Sequence, residues 1–452
     1  MNTSVLLVAL VAALPSEDPF LIARDTASSI DSPAPAGAIP LEACLREALE
    51  KNPDIRRDTA LLDQALGQKT VYRSRALPRL NLTVPGGRKG RKGTESAENF
   101  IILTGQLTQP LFDAAIPASS RRGSLGELAA RQQLFVTATD RLHAVRLAYL
   151  EALYHRAQTR LLLRQQELLQ SNIKAENDRR EAGISPRSAV MQAQIQSYQI
   201  EPRIEESRRQ ERLARVTLAR ILGRNFHQDQ FLPEPQGPLP FEPALGDLPA
   251  LFETTLAQRP DFRLLETLIR AADADKRIAE AGYFPLIQLV GTTQYLPSEE
   301  LSNNQNAIRA SDNVSTSEAA LGVQFSWRVF DPGTTLGASR RIRAESEISA
   351  LTLQTLKESA ARELSTTLRA LRAAQERIVA QAASLQLAEE TIRLVESAQR
   401  GGTAGQIEFL EAQSSLLEAR TGVLNAVYTH NLALAELDRI TGRYLSYVET
   451  PR

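Results

Sequence analysis

Residues able to do chemistry are sparse in this 452-residue sequence. The four histidines, His143, His155, His227 and His430, are scattered and read as helix or loop residues rather than ligands or catalysts. A single cysteine, Cys44, excludes an intrachain disulfide, and no CxxC pair or Cys/His cluster has the spacing of a zinc site. No Walker A loop is present to cradle a phosphate. We therefore expect no catalytic residues, no metal ligands, no cofactor and no enzyme. One pair of carboxylates is singled out by spacing. Glu408 and Glu411, in Gly405-Gln406-Ile407-Glu408-Phe409-Leu410-Glu411-Ala412, lie three apart and so on one helix face. Spacing alone reads this as a solvated face. Lys and Arg together number 53, as do Asp and Glu, and this neutrality argues against a nucleic-acid partner.

The elements that must hold such a pair are long helices. Aromatics make up only 5% of the chain, and its body is rich in Ala, Leu, Arg, Gln and Glu, which form helices with little bulk for a thick core. No apolar run reaches the roughly 18 residues of a membrane-spanning helix. Residues 5–14 have the length of a signal-peptide apolar region, with Ala12 and Ala13 where cleavage could follow, yet no Lys or Arg precedes Arg24. Residues 1–38 are thus a weak signal peptide and a flexible Pro/Ser/Ala lead-in.

An internal repeat organises the remainder. Pro53 and Pro260 are 207 residues apart, as are Pro78 and Pro285, while Asp113 and Asp331 are 218 apart. Gly183 and Gly402, and Ala193-Gln194 and Ala412-Gln413, follow at 219. The first repeat spans 39–223 and the second 248–442, with a Pro-rich linker at 224–247 and a tail at 443–452. Each begins with a helix, over 41–77 or 251–284, that a proline stops. Two strands follow. In the second copy Leu321, Val323, Phe325, Trp327 and Val329 alternate with Gly322, Gln324, Ser326 and Arg328, a period of two.

A very long helix comes next, over residues 114–182 in the first copy, about 100 Å at 1.5 Å per residue. It breaks at Gly183-Ile184-Ser185-Pro186, or at Gly401 to Gly405 in the second copy, and a second helix returns. Leu364, Leu371, Ile378, Leu385 and Ile392 recur every seven residues, as do Leu147, Tyr154, Leu161 and Leu168. That spacing predicts knobs-into-holes coiled-coil packing. The fold class is mostly α with a small β part. Four strands with one apolar and one polar face fit a share of a membrane barrel wall, or a small soluble sheet with one buried face. Four strands cannot close a barrel, and lipid does not tolerate open edges, so a membrane reading requires several chains.

The order of ALEKNPDIR (48–56), LPRLNL (77–82), QPLFD (109–113), AGISPRSAVMQAQ (182–194) and LARILG (218–223), doubled at a nearly constant offset, resembles the TolC-like outer-membrane efflux proteins. The resemblance implies a homotrimer whose strands pool into one 12-stranded transmembrane β-barrel, continued by a trimeric α-barrel tunnel through the periplasm. It implies an exit duct for a tripartite efflux or type I secretion system, passive itself, with a periplasmic adaptor protein and an inner-membrane transporter as partners. Leu321, Val323, Phe325, Trp327 and Val329 would face outer-membrane lipid. Glu408 and Glu411 would form stacked acidic rings at the pore constriction, favouring cations. The turns at Gly183, Ser185, Gly402 and Thr403 would form the periplasmic tip and adaptor contact.

Where some family members lock the tip with Asp, Arg and Tyr, the aligned positions here are Ala189, Ala404 and Gln399. Arg180, Arg187 and Arg400 lie near enough in sequence to pair with Glu408 or Glu411. The basic run Gly86 to Gly93 reads as a mobile external loop, with the polar stretch 297–317 as its counterpart, and Cys44 as a packing residue rather than a lipidation site. The competing reading is a soluble coiled-coil scaffold with no transport role.

Overall fold

The computed structural model describes residues 19–29, 38–89, 98–224, 232–241, 259–296 and 316–449. The apolar stretch 5–14 lies outside them. The helices in the first half are α1 (Pro19–Ser29), α2 (Leu41–Lys51), α3 (Pro53–Ser74), α4 (Ala115–Glu181) and α5 (Arg187–Ile221). Those in the second are α6 (Pro260–Glu280), α7 (Thr334–Arg400), α8 (Gln406–Ile440) and α9 (Leu445–Glu449). The strands are β1 (Arg79–Thr83), β2 (Gly86–Lys89), β3 (Glu98–Ile101), β4 (Leu103–Phe112), β5 (Leu286–Leu296) and β6 (Thr316–Ser326). α4 and α7 are each 67 residues long, and α5 and α8 each 35. Two compact units result. One, mainly helical, comprises residues 1–58, 134–260 and 356–452, and the other, with all the strands, residues 59–133 and 261–355.

In the helical unit the seven-residue seam of α7 is buried throughout, from Leu364 to Ile392, with Ile378 fully enclosed. Its Ile378 and Leu385 meet α4 and α8 in a core that includes Leu142, Val145, Leu153, Val423 and Leu424, while Leu364 and Leu371 cluster with Leu437 and Ile440 of α8, and Ile392 with Phe409. The seam of α4 departs from strict sevens. Leu161 is buried, but Leu168 is 49% exposed and Leu169 takes the inward place. A helix of 3.6 residues per turn drifts against a 3.5-residue repeat, so the inward position moves by one along its length.

The expected helix over 41–77 is two. Pro53 has no N–H and disfavours helical backbone at Asn52, which is extended at φ −60, ψ 127. Asn52 Oδ1 instead accepts the N–H groups of Asp54 (2.9 Å) and Ile55 (3.3 Å), capping α3, and its Nδ2 donates to the Ile221 carbonyl at 2.6 Å. The lead-in expected to be flexible contains α1. Its Ala23 is fully buried and its Phe20 ring stacks on Phe241 at 5.9 Å, because Phe20, Ile22 and Ala23 supply an apolar face. Residues 232–241 of the Pro-rich linker are likewise held. Tyr149 Oη lies 2.9 Å from the Gln236 carbonyl, and the buried Arg156 donates to the carbonyls of Pro235 and Gly237.

In the strand-bearing unit the four main strands form one antiparallel sheet in the order β1-β4-β5-β6. The first half contributes more strand than the two stretches expected. Gly86–Lys89, read as part of a mobile loop, pairs with Glu98–Ile101 as a second small sheet; residues 90–93 of that run lie outside the described residues. Pro85, which has no N–H for a ladder, separates β2 from β1. Each long helix is started by an aspartate in the connection from the strand before it. Asp113 accepts the Ala115 N–H at 2.8 Å, and Asp331 accepts those of Thr334 and Thr335 at 2.9 and 2.8 Å.

Candidate functional site

The antiparallel register assigns every side chain of the sheet to a face, since directly opposed residues share one. Phe325 opposes Ile287, Val323 opposes Leu289, and Leu107 opposes Leu80. These residues, with Leu82, Leu103, Tyr295 and Leu321, make one face apolar. Arg79, Asn81, Thr104, Gln106, Thr108, Gln288, Thr292, Gln294, Gln324 and Ser326 make the other polar. The chain leaves the apolar face uncovered: Leu80, Leu321, Val323 and Phe325 are between 62 and 74% exposed. β4, β5 and β6 are 10, 11 and 11 residues long, the length of a tilted strand across a hydrocarbon layer.

Of the five residues assigned to lipid, Leu321, Val323 and Phe325 lie in β6. Trp327 and Val329 follow its end at Ser326, and both are exposed. The indole N–H of Trp327 donates to the Tyr283 carbonyl at 3.1 Å. Phe112, Tyr283, Phe284, Trp327 and Phe330 are all exposed around the ends of the strands where the long helices start. Such clustering suits a membrane–water boundary, where amphipathic rings settle. The sequence reading missed it. Its signal was a local concentration of aromatics in a chain holding only 5% of them.

The helix-to-helix turns lie in the helical unit. Gly183 and Gly402 have φ of 74 and 78, a left-handed conformation that glycine adopts without strain. In each turn the glycine N–H bonds three residues back and the next N–H five back. Ile184 reaches the Arg179 carbonyl and Thr403 the Ala398 carbonyl, both at 2.9 Å. The Ser185 hydroxyl is occupied within the fold, donating to the buried Glu176 at 2.7 Å. The Thr403 hydroxyl donates to the Ala398 carbonyl at 3.1 Å, although Thr403 remains exposed. Ile184, not singled out beforehand, is the most open apolar side chain of the turn at 77% exposure.

Glu408 and Glu411 both lie exposed on α8, while Phe409, Leu410 and Ala412 between and beside them are buried. Glu408 Oε2 accepts the Gly405 N–H at 3.3 Å and so caps α8. Arg400 turns to Glu396, at 4.0 Å, rather than to either of them. Gln399 donates to Gln406 Oε1 at 2.9 Å, and Gln406 donates to Asn172 Oδ1 at 2.6 Å. These amides tie α7, α8 and α4 together beside the turn. Cys44 is fully buried, and burial pushes its thiol up to about 11, which leaves it a packing residue. Among the described residues no helix is long and apolar enough to cross a membrane, and no His/Cys/Asp/Glu group could hold a metal.

The family model described as outer membrane efflux protein matches residues 44–224 and 251–443. The chain belongs to that family. It is an outer-membrane efflux channel, and the scaffold reading without a transport role is set aside. The pyoverdine export outer membrane protein OpmQ of Pseudomonas aeruginosa is 25% identical over 462 residues, covering 96% of this chain and 90% of its own. Outer membrane protein OprJ of the same species is 25% identical, covering 87% of this chain and 82% of its own. The crystal structure of the outer membrane protein VceC from Vibrio cholerae superposes with a TM-score of 0.72 at 18% identity, covering 89% and 96% of the two chains.

Proposed function

We propose that three copies of this efflux protein assemble into one duct, each contributing its four-stranded sheet to a shared 12-stranded barrel in the outer membrane and its long helices to a tunnel. The carrying observation is the sheet, apolar and uncovered on one face and polar on the other, with open edges at β1 and β6. Alternate strands run oppositely, so β6 of one copy and β1 of the next would pair antiparallel and remove both edges. The two halves of the chain act as tandem repeats, with boundaries at 39–223 and 248–442. Matching helix lengths and turn glycines 219 residues apart support that division.

The tunnel would receive cargo from a periplasmic adaptor protein and an inner-membrane transporter, with adaptor contact at the turns around Gly183, Ser185, Gly402 and Thr403. The duct is passive, so choice of cargo rests with the transporter. Glu408 and Glu411 from three chains would ring the constriction and favour cations. Membrane fractionation followed by the mass of the detergent-extracted complex tests the assembly. Recovery from the outer membrane at about three times the 49.8 kDa chain mass is expected, and a soluble monomer would overturn it. Unchanged cation selectivity in E408A/E411A would remove the acidic rings from the account.

A further inference from the structure

Three arginines, Arg75, Arg79 and Arg328, gather where the polar face of the sheet meets the long helices. Arg75 and Arg328 line one cleft of about 490 Å³ with Asp113, Leu286 and Ser326. Arg75 and Arg79 line an adjoining cleft of about 450 Å³ with Asp113, Thr108 and Gln288. Two carboxylates lie nearby, Asp113 in the lining of both clefts and Asp331 three residues from Arg328, and both are engaged. Asp113 accepts from Arg75 Nε at 2.8 Å as well as from the Ala115 N–H, and Asp331 accepts the first two N–H groups of α7. Hydrogen bonds from Thr335 and Thr334 hold the Asp331 carboxyl down at about 2. Arg79 and Arg328 are exposed, and among the described residues neither has a carboxylate within 4.0 Å. Glu318 also lies on the polar face, but it is eight residues along β6 from Ser326, about 27 Å at 3.4 Å per residue.

We infer that Arg328 in the first cleft and Arg79 in the second each make an oxyanion-recognition site on the channel wall, with Arg75, which lines both clefts, held by Asp113. The inference rests on the proposed lumen-facing role of the polar face. Each guanidinium offers a planar fork matched to a carboxylate or phosphate, and the clefts give such a group a place to sit against Thr108, Gln288 and Ser326. Three copies would make a basic collar, which favours anions as acidic rings favour cations. The duct would then have acidic rings at one stage of the path and a basic collar at another. Its ligand is an oxyanion, either a group carried by exported molecules or a free inorganic anion.

The full-length protein is reconstituted in a planar bilayer, and its reversal potential is measured in a KCl gradient. R79Q/R328Q is expected to raise the permeability of potassium relative to chloride about twofold or more. Millimolar inorganic phosphate or salicylate is expected to reduce the wild-type current and to leave R79Q/R328Q unaffected. Block by salicylate at the lower concentration identifies a cargo carboxylate, and block by phosphate at the lower concentration a free anion. R79K/R328K keeps the charge without the fork. It should retain wild-type selectivity and lose the block, which separates recognition from misfolding. Selectivity unchanged in R79Q/R328Q, or phosphate block that persists there, overturns the site while leaving the channel standing. A wild-type protein that inserts and carries no current overturns the channel and the site together.

Discussion

The helical unit encloses an apolar core within one chain, and the sheet does not. In the first, Leu142, Val423 and Ile378 are fully enclosed, and partly buried charges find partners: Arg146 pairs with the buried Asp438, and Arg439 with both Glu436 and Glu363. In the second, Leu321, Val323 and Phe325 stand in the open on one face, and Arg79 and Arg328, exposed near the other, have no carboxylate within 4.0 Å among the described residues. An apolar face of this size left open is unfavourable in water. The same residues are at low free energy against lipid, where only the backbone must be satisfied internally. The difference marks which surfaces are built for the chain itself and which for its assembly and its medium.

Two substitutions of similar size should therefore fail in different places. Leu385→Ala removes a side chain 2% exposed between the long helices and should destabilise the helical unit by about 2–5 kcal/mol, read as a lower urea midpoint in detergent. Leu321→Arg should leave that midpoint unchanged and oppose barrel insertion by about 2–4 kcal/mol, read as a smaller outer-membrane fraction. If Leu321→Arg inserted as well as wild type, the apolar face would not be a lipid face.

The elements were legible in the sequence where one periodicity ran unbroken. The two long helices and the turns at Gly183 and Gly402 follow from spacing, and the structure places them within a residue or two; the period-two face of β6 follows as well, although the strand ends at Ser326, three residues short of Val329. Legibility failed where a local contact overrode composition. Pro53 breaks the helix at Asn52, and the break is held because the Asn52 amide bonds the Ile221 carbonyl, 169 residues away. The lead-in reads as flexible by its Pro and Ser content, yet Phe20 finds Phe241. At the candidate sites, spacing put Glu408 and Glu411 on one exposed face. It could not reveal that Ser185 is turned inward to Glu176, nor that Asp113 and Asp331 are consumed as helix caps.

The turn glycines offer a finer version of the same contrast. At Gly402 an added Cβ meets nothing within 4 Å, so Gly402→Ala should cost only the left-handed backbone strain, about 1–2 kcal/mol. At Gly223, also left-handed at φ 72, the Cβ would sit 2.7 Å from the Lys51 carbonyl oxygen. Gly223→Ala should therefore lower the urea midpoint further than Gly402→Ala. Equal losses would mean that the packing of α2 against the end of α5 yields freely.

The smallest effect expected is a pH dependence confined to the helical unit. His143 Nε2 lies 3.1 Å from Glu436 Oε2, and this hydrogen bond, with that from Arg439, holds the Glu436 carboxyl down at about 2 against an ordinary value near 4.5. A carboxyl held down in the folded state contributes stability that is fully present above its unfolded value and is lost as pH falls through the folded one. The window thus opens below about pH 4.5 and extends toward pH 2. With 32% of the side chain open to solvent, the contribution is about 1 kcal/mol. Glu436→Gln should therefore be less stable than wild type at pH 7, and the gap between their urea midpoints should narrow from pH 5 to pH 3. A gap constant across that range would show that Glu436 contributes by packing rather than by charge, and that the helical unit's ion pairs are less self-sufficient than its apolar core.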